Sequence, residues 1–280
     1  MKKSDSITEI RSLRWQDPTL SWGLVPTMGA LHIGHLSLVQ RSISENDRTA
    51  VSIFINPKQF NDSGDLEQYP RTLDADLALL AEAGVDLVFF PKSEEMYPPG
   101  FQTELVVNGV TKPLEGAHRP GHFEGVTLVV GKLFNIIQPT RAYFGQKDAQ
   151  QTIVLKRMVT DLNFNLELVV CPTVREADGL AFSSRNVNLS QAERASATIL
   201  YQTLEHGKRM IEEGERSYKV IKAAMEKKLL SEPLAKPEYV EITSLDTLLP
   251  LDPLTGDLLL SMAVSIGDTR LIDNFMVSID

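Results

Sequence analysis

Short apolar runs alternate with helical patterns from residue 22 to about residue 170, and this alternation restricts the folds open to the chain. The runs are rich in β-branched or aromatic residues, which favours buried strands. They read WGLVPTMG, TAVSIFINP, VDLVFFP, RAYFG and NLELVV. Because strands separated by helices form βαβ units, we predict an α/β fold built on a parallel sheet.

The pattern changes after Cys171. A loop-like stretch, PTVREADGLAFSSRN, precedes helical patterns over residues 190–213 and 218–230, and three strand-like runs follow these. The change predicts two domains. Residues 1–173 would form the domain with the parallel sheet, and residues 174–280 a smaller C-terminal α+β domain.

The charge balance and the lack of long apolar segments exclude several classes of protein. The chain has 28 Lys and Arg against 37 Asp and Glu, a formal net charge of −9. Since an acidic surface repels phosphate backbones, we expect no nucleic-acid partner. No stretch approaches the roughly 18 apolar residues of a membrane span, and no apolar secretory signal is present. We therefore expect a cytoplasmic protein that does not act at a membrane.

The stretch PTMGALHIGH places two histidines after a predicted strand and at the start of a predicted helix. A helix N-terminus offers backbone N–H groups and a partial positive charge to an anion. Gly29 and Gly34 leave room for a ligand to approach, and His32 and His35 share one face of the first turn. The stretch favours a phosphate site. A structural turn or half of a metal site are the alternatives, although zinc would require further Cys or His ligands.

A second candidate, FGQKDAQQ, follows the predicted strand RAYF. Ligands of parallel sheets bind outside the carboxyl ends of the strands, so Lys147 could meet a phosphate there. Gln151 adds a donor and an acceptor. The alternative is a surface lysine beside a helix cap at Asp148.

Two further stretches carry polar groups suited to a substrate. Ser183, Ser184 and Arg185 put two hydroxyls and a guanidinium into one segment, a set that suits a phosphate chain; turn chemistry is the alternative. Asn56 and Gln59 follow a predicted strand end and could hold hydroxyls or a carboxylate.

The stretch GAHRPGHFEG contains another pair of histidines. Pro120 and Gly121 predict a loop here. It is either a solvated basic loop or a mobile one that brings Arg119 and His122 to an anion.

Five blocks of the sequence, taken in chain order, resemble the pantothenate synthetase (pantoate–β-alanine ligase) family of the HIGH-motif nucleotidyltransferases. They are PTMGALHIGH, FINPKQF, YPRTLDADL, FGQKDAQQ and READGLAFSSRN, and the resemblance covers most of residues 25–189. It implies condensation of pantoate with β-alanine through a pantoyl adenylate, with ATP consumed and AMP and pyrophosphate released. It also implies a Rossmann-like domain over residues 1–173 that binds ATP and pantoate, and a smaller domain that contributes the SSR loop (residues 183–185) and a lid. It further implies Mg²⁺ and a homodimer.

The resemblance assigns roles to individual residues. It implies catalytic roles for His32, His35, Lys147 and Arg185, and it places Asp76 near the metal. The implied substrate-binding residues are Pro26, Thr27, Asn56, Gln59 and Gln151. The implied ATP-binding residues are Met28, Gly29, Ala30, Leu31, His32, Ile33, Gly34, His35, Gly145, Gln146, Lys147, Asp148, Val174, Phe182, Ser183, Ser184 and Arg185.

Two residues depart from the family pattern. Gln146 stands where glutamate is common, and Phe182 where methionine is common; neither removes a group that the chemistry needs.

Since an acyl adenylate hydrolyses easily, a lid that excludes water is expected. Residues 60–68 with Gly64 are the candidate segment for this lid.

Other functions remain open at this point. One alternative is another HIGH-type nucleotidyltransferase, acting on a different small acid or phosphate. A class I tRNA synthetase is disfavoured by the acidic charge and the short C-terminal part. A nucleotide-sensing module without turnover is the non-enzymatic alternative.

Overall fold

The structure, a computed structural model, describes residues 1–61 and 63–279. The chain divides into two compact units. The larger unit contains Met1–Asn108, Arg119–Gly145 and Val154–Cys171, and the smaller contains Gly109–His118, Gln146–Ile153 and Pro172–Asp280. The predicted boundary between residues 173 and 174 stays a prediction.

The larger unit contains a six-stranded parallel sheet, which confirms the predicted fold class. Its strands are β1 (Lys2–Ser4), β2 (Trp22–Thr27), β3 (Arg48–Ile53), β4 (Leu87–Phe89), β5 (Arg141–Gly145) and β6 (Glu167–Cys171), in the order β1-β4-β3-β2-β5-β6. Val25, Val51 and Val88, on three neighbouring strands, are fully buried in its core. The pattern analysis missed β1, because three polar residues carry no apolar signal.

Helices connect these strands. In chain order they are α1 (Ile7–Arg14), α2 (Ile33–Glu45), α3 (Ser63–Gln68), α4 (Leu73–Ala83), α5 (Ser93–Met96), α6 (Glu115–His118), α7 (His122–Ile137) and α8 (Ala149–Asp161). Helix α2 lies close against β2, because a Cβ on Gly23 would fall 2.0 Å from Ser42 Oγ. Helix α4 ends at Gly84, whose φ of 88° is in the left-handed region that glycine readily adopts at a helix C-terminus.

The smaller unit contains an antiparallel sheet in the order β7-β8-β9. Its strands are β7 (Ala235–Ser244), β8 (Gly256–Ile266) and β9 (Thr269–Ile279), and its other helices are α9 (Gln191–Ser196), α10 (Ile199–Glu212) and α11 (Tyr218–Leu229). Leu258, Leu260 and Met262 of β8 are fully buried together with Leu204 and Met225 of the helices.

One helical prediction in this region is wrong. The predicted helix over residues 190–213 is two helices, α9 and α10. The Thr198 hydroxyl lies between them and donates to the Ala195 carbonyl oxygen at 2.9 Å, a local bond that competes with helix geometry. Over residues 1–61 and 63–279, none of the helices is long and apolar enough to cross a membrane.

Candidate active site

The first candidate residues form the loop between β2, which ends with Pro26 and Thr27, and α2. Gly29 and Ala30 have φ angles of 86° and 50°, so the chain turns sharply here. The backbone N–H groups of Ala30 and Leu31 donate to the Asp76 carboxylate at 3.0 and 2.9 Å. These two donors are therefore already used within the protein, and Asp76 holds the shape of the loop.

Asp76 belongs to α4 and is only 2% exposed. Its Oδ2 atom also accepts a hydrogen bond from Thr72 Oγ1 at 3.1 Å. A Cβ on Gly29 would fall 3.0 Å from the same oxygen, so the carboxylate and the loop backbone are in close contact. Both carboxylate oxygens are thus engaged by the protein.

Two histidine side chains cap the N-terminus of α2. His32 Nδ1 accepts a hydrogen bond from Gly34 N at 3.1 Å, and His35 Nδ1 accepts one from His32 N at 3.4 Å. The ring centroids are 4.1 Å apart. A neutral imidazole whose Nδ1 accepts carries its proton on Nε2, so these hydrogen bonds assign the Nε2–H tautomer to both rings. An Nε2–H group is a donor that suits an anion at a helix N-terminus.

Asn56 and Gln59 lie at the carboxyl end of β3, where a 3-10 helix, Pro57–Gln59, begins. Asn56 Nδ2 donates to Gln59 Oε1 and to Gly125 O, both at 3.0 Å. Tyr97 donates its hydroxyl proton to Asn56 Oδ1 at 2.8 Å, and burial raises the pKa of this phenol. Because Asn56 is only 1% exposed and its amide bonds to the protein, it holds Gln59 in place.

Gln59 has a weaker partner on its other side. Gln59 Nε2 donates to Met28 Sδ at 3.1 Å. A thioether sulfur is a weak acceptor, so a carboxylate or hydroxyl oxygen of a substrate would compete well for this donor. Gln59 is half-buried.

The loop predicted around the second histidine pair is present but short, since residues 119–121 form a turn between two helices. His118 ends α6, and His122 is the first residue of α7. Pro120 and Gly121 mark a helix start here; Gly121, with φ 83°, is the N-cap of α7. The imidazole of His122 donates from Nδ1 to the Gln59 carbonyl oxygen at 2.8 Å, and its Nε2 lies 3.4 Å from Arg119 Nη1. His122 therefore supports the turn that carries Gln59.

Gly125 permits this close packing. A Cβ there would lie 2.2 Å from Lys58 O and 2.7 Å from Gln59 N, both backbone atoms that cannot move independently. We expect Gly125→Ala to lower the free energy of unfolding by about 1–3 kcal/mol, the usual cost of overpacking. Urea unfolding measures this value.

Gly131→Ala, in the same helix, is the matched control. A Cβ on Gly131 would meet the tip of the Leu105 side chain at 3.1 Å, and that tip can move. We expect this variant to stay close to wild type or to gain stability, since alanine is the better helix former. Equal unfolding free energies for the two variants would contradict a tight contact between α7 and the turn.

The second set of candidate residues belongs to the smaller unit. Lys147 lies in a 3-10 helix, Gln146–Asp148, directly after β5. It lines one pocket together with Ser183, Arg185 and Asp273. Lys147 Nζ is 3.7 Å from Asp148 Oδ1. The pocket thus combines a hydroxyl with the cations Lys147, Arg185 and Arg270, beside the carboxylate of Asp273. Cations and a hydroxyl suit phosphate oxygens.

The segment with Ser183 and Arg185 is a short hairpin-like turn. Phe182 N donates to Val174 O at 3.0 Å, and Arg175 pairs with Ala181 as an isolated antiparallel bridge. The Ser183 hydroxyl accepts from Arg185 N at 3.2 Å and caps a 3-10 helix, Ser184–Asn188. The turn therefore has a defined geometry, which agrees with the alternative of turn chemistry; the predicted contact of these residues with a phosphate chain stays a prediction.

The remaining candidate is Gln151, in the first turn of α8 and half-buried. Its neighbour Gln150 is 5% exposed, and the Nε2 of Gln150 donates to Val110 O and Pro113 O at 2.9 and 2.8 Å. The sequence analysis missed Gln150 as a structural residue, since adjacent glutamines look alike in sequence. The helix separates their roles, because consecutive residues point in different directions.

Comparison with known sequences gives the family of the chain. The family model described as pantoate-beta-alanine ligase matches residues 2–276. The pantothenate synthetase of Roseiflexus castenholzii is 57% identical over 252 residues, which are 90% of this chain and 91% of that protein. That of Moorella thermoacetica is 54% identical over 261 residues, 93% of this chain and 92% of its own.

Solved structures agree with the sequence matches. The crystal structure of pantothenate synthetase from Thermus thermophilus has a TM-score of 0.93 and 46% identity, with 98% of this chain and 99% of that chain covered. The pantoate-beta-alanine ligase of Francisella tularensis, complexed with beta-gamma ATP and beta-alanine, has a TM-score of 0.82 and 36% identity over 99% and 97% of the chains. The chain therefore belongs to the pantoate–β-alanine ligase family of carbon–nitrogen ligases.

Proposed function

We propose that this ligase joins pantoate to β-alanine in two steps, with ATP as the activating substrate. In the first step a carboxylate oxygen of pantoate attacks the α-phosphorus of ATP. The bond from that phosphorus to the bridging oxygen breaks, and pyrophosphate leaves. In the second step the amine of β-alanine attacks the acyl carbon, AMP leaves, and the nitrogen loses a proton.

The first step needs charge neutralisation more than it needs a base. A carboxyl group with a pKa of about 4 is already ionised at neutral pH. The difficulty is that an anion must approach a polyanion: two like charges 4 Å apart repel by about 4 kcal/mol at an effective dielectric constant of 20. Hydrogen-bond donors and cations aimed at the phosphates lower this barrier.

The observation that carries the proposal is that both imidazoles at the start of α2 accept a backbone hydrogen bond at Nδ1, which assigns their protons to Nε2. We assign His32 and His35 to the phosphates, where their neutral rings donate at the positive end of the helix dipole. We assign Lys147, Ser183 and Arg185 to phosphate oxygens of ATP as well, because they line one small pocket and supply positive charge and a hydroxyl. The other ATP-binding residues that the family resemblance implies stay proposals with them.

Pantoate is assigned to Gln59 and Gln151. The Gln59 amide has a weak thioether partner that a substrate oxygen can replace. Pro26 and Thr27 end the strand before Met28 and complete the proposed pantoate-binding set. Asn56 acts on the substrate through Gln59, because its own amide bonds to Gln59, Gly125 and Tyr97.

The implied Mg²⁺ was assigned to Asp76, and this residue does not fit the role of a metal ligand. Its carboxylate accepts hydrogen bonds from two backbone N–H groups and from Thr72, and it is 2% exposed. In the described part of the chain, no group of three or more His, Cys, Asp and Glu residues could hold a metal ion. We propose that Asp76 holds the shape of the loop between β2 and α2, and we propose no reaction step that involves the metal.

The predicted lid over residues 60–68 includes Asp62, which lies outside the described residues; Ser63–Gln68 form α3. The lid, the homodimer and the cytoplasmic location stay predictions. Analytical ultracentrifugation of the purified protein tests the dimer.

An assay that omits each substrate in turn tests the reaction. We expect ATP and pantoate alone to release one pyrophosphate per active site in a single turnover. We expect continuous release of AMP only after β-alanine is added. Formation of ADP and phosphate, or a pyrophosphate release that needs β-alanine, would contradict the adenylate route.

Loss of the Gln59 amide tests the pantoate assignment. We expect Gln59→Ala to raise the KM for pantoate about tenfold while ATP binding is kept, because one hydrogen bond to a charged group contributes about 1.5–3 kcal/mol. Steady-state kinetics and ATP calorimetry measure the two effects, and Gln151→Ala should behave likewise. Gln40→Ala, an exposed glutamine of α2, is the control, with KM expected unchanged.

A further inference from the structure

Asn274 of β9 contacts the backbone of the turn that carries Lys147. Asn274 Nδ2 donates to Gln146 O at 3.0 Å and to Lys147 O at 2.8 Å. Gln146 Nε2 lies 3.5 Å from Asn274 Oδ1, which fixes the direction of the amide. Asn274 is only 3% exposed. The carbonyl groups of two successive residues in this turn are thus held by one buried side chain.

The preceding residue of the same strand holds the segment with Ser183 and Arg185. Arg175 donates to both carboxylate oxygens of Asp273, from Nη1 at 2.7 Å and from Nη2 at 2.9 Å. Asp273 is 2% exposed, and its Oδ1 also accepts from Asn274 N at 2.7 Å. A bidentate, buried pair of this kind fixes orientation as well as distance.

Arg175 extends this link into the turn. Its Nη1 donates to Gly179 O at 3.0 Å, and the residue pairs with Ala181 in the isolated bridge, two residues before Ser183. Arg175 also lies over the rings of Tyr201 and Phe275, at 5.2 and 5.0 Å from their centroids. These contacts fix the position of the guanidinium. Because Arg175 bonds both to β9 and to the turn, it holds the turn in a fixed position relative to β9.

Strand β9 is held in place by its pairing with β8. Asp273 and Asn274 pair in register with Met262 and Ser261 of β8, a strand in the middle of the antiparallel sheet. Residues held by a packed sheet position a site more accurately than residues in loops.

From these contacts we infer that Asn274 and Asp273 are positioning residues of the ligase: they fix Lys147 relative to Ser183 and Arg185. The inference rests on the proposed function, in which these groups bind ATP. Asn274 touches the turn through its side chain, and Asp273 acts through Arg175. Misplacement of a charged group by about 1 Å can cost a reaction as much as 100-fold, so the loss of either contact should slow adenylate formation.

Double-mutant kinetics separate positioning from a general loss of structure. We expect Asn274→Ala to slow single-turnover pyrophosphate release about tenfold, with little change in thermal unfolding temperature. If Asn274 acts through Lys147, its replacement in a Lys147→Met background should change the remaining rate by less than about twofold. A further tenfold loss in that background would overturn the inference.

Asn274→Asp is a second test variant, for the case that Asn274→Ala fails to fold. It keeps the side-chain size and replaces the donor amide with a carboxylate that only accepts, so it should lose the same contacts with the two carbonyl groups. Ser278→Ala is the control on the same strand, since it also loses a side-chain hydrogen bond but lies exposed, away from the turn. Its rate should equal that of the wild type.

Hydrogen exchange gives a readout that does not depend on the reaction. We expect exchange over residues 145–150 to rise in Asn274→Ala and to stay unchanged in Ser278→Ala. Unchanged exchange in Asn274→Ala would overturn the inference even if activity fell. If wild-type protein releases no pyrophosphate from ATP and pantoate, the proposed function fails, and the exchange data still decide whether Asn274 holds the turn.

Discussion

Replacement of His35 by alanine is expected to slow pyrophosphate release from ATP and pantoate by about 100- to 1,000-fold. This is the usual effect of removing one donor that stabilises developing charge in a transition state. His35 has a second role, because its Nδ1 accepts from His32 N and caps α2. Single-turnover kinetics at saturating substrates measure the loss.

Two further variants separate the role of His35 Nε2 as a hydrogen-bond donor from the role of its Nδ1 as the cap of α2. Asn at position 35 can place an acceptor near the site of Nδ1, and Gln can place a donor near the site of Nε2. If the Nε2–H group carries the catalytic effect, His35→Gln retains more activity than His35→Asn. The reverse order, with normal unfolding temperatures, would mean that His35 acts only as a cap.

Replacement of Lys147 by alanine is expected to slow the same step about 100-fold. The charge of Lys147 would face the phosphates, and a unit charge at about 4 Å contributes up to about 4 kcal/mol at an effective dielectric constant of 20. Asp148, 3.7 Å from its Nζ and half exposed, offsets part of this effect. Pyrophosphate release in a single turnover is again the measurement.

Lys156→Ala is the matched control for this prediction. Lys156 is an exposed residue of α8, so its loss makes the same change in net charge. We expect the rate to stay within about twofold of wild type, because exposed charges are well screened. Equal losses in the two variants would assign the effect to overall charge and not to Lys147. Lys147→Arg, which keeps the charge but changes its shape, should retain an intermediate rate.

The sequence predicts the larger elements of the fold well. The strands from β2 to β6, the helices that alternate with them and the presence of three C-terminal strands all follow from local apolar periodicity. It fails where the local signal is short: β1 has three polar residues and was missed. It also predicts a longer loop around His118 and His122 than the structure has, because Pro120 and Gly121 indicate a turn but not how near the flanking helices begin and end.

The sequence likewise predicts some residues of the candidate site and not others. The sequence points to His32, His35, Lys147, Ser183 and Arg185, because their types and their places after strands carry chemistry. It gives no hint that Asp76 holds the loop, since an acidic residue in a first helical turn has an ordinary local explanation. It also assigns Asn56 to the substrate, although the structure shows its amide bonded within the protein.

By itself, the sequence determined the order of strands and helices, the acidic charge and the residues of the HIGH loop, because each depends on neighbours a few positions apart. Only the tertiary structure decided which groups hold these residues in place. Ala30 meets Asp76 across 46 residues, Gln59 meets His122 across 63, and Lys147 meets Asn274 across 127. Hydrogen bonds over such separations form only after the sheets have packed, so no local pattern can encode them.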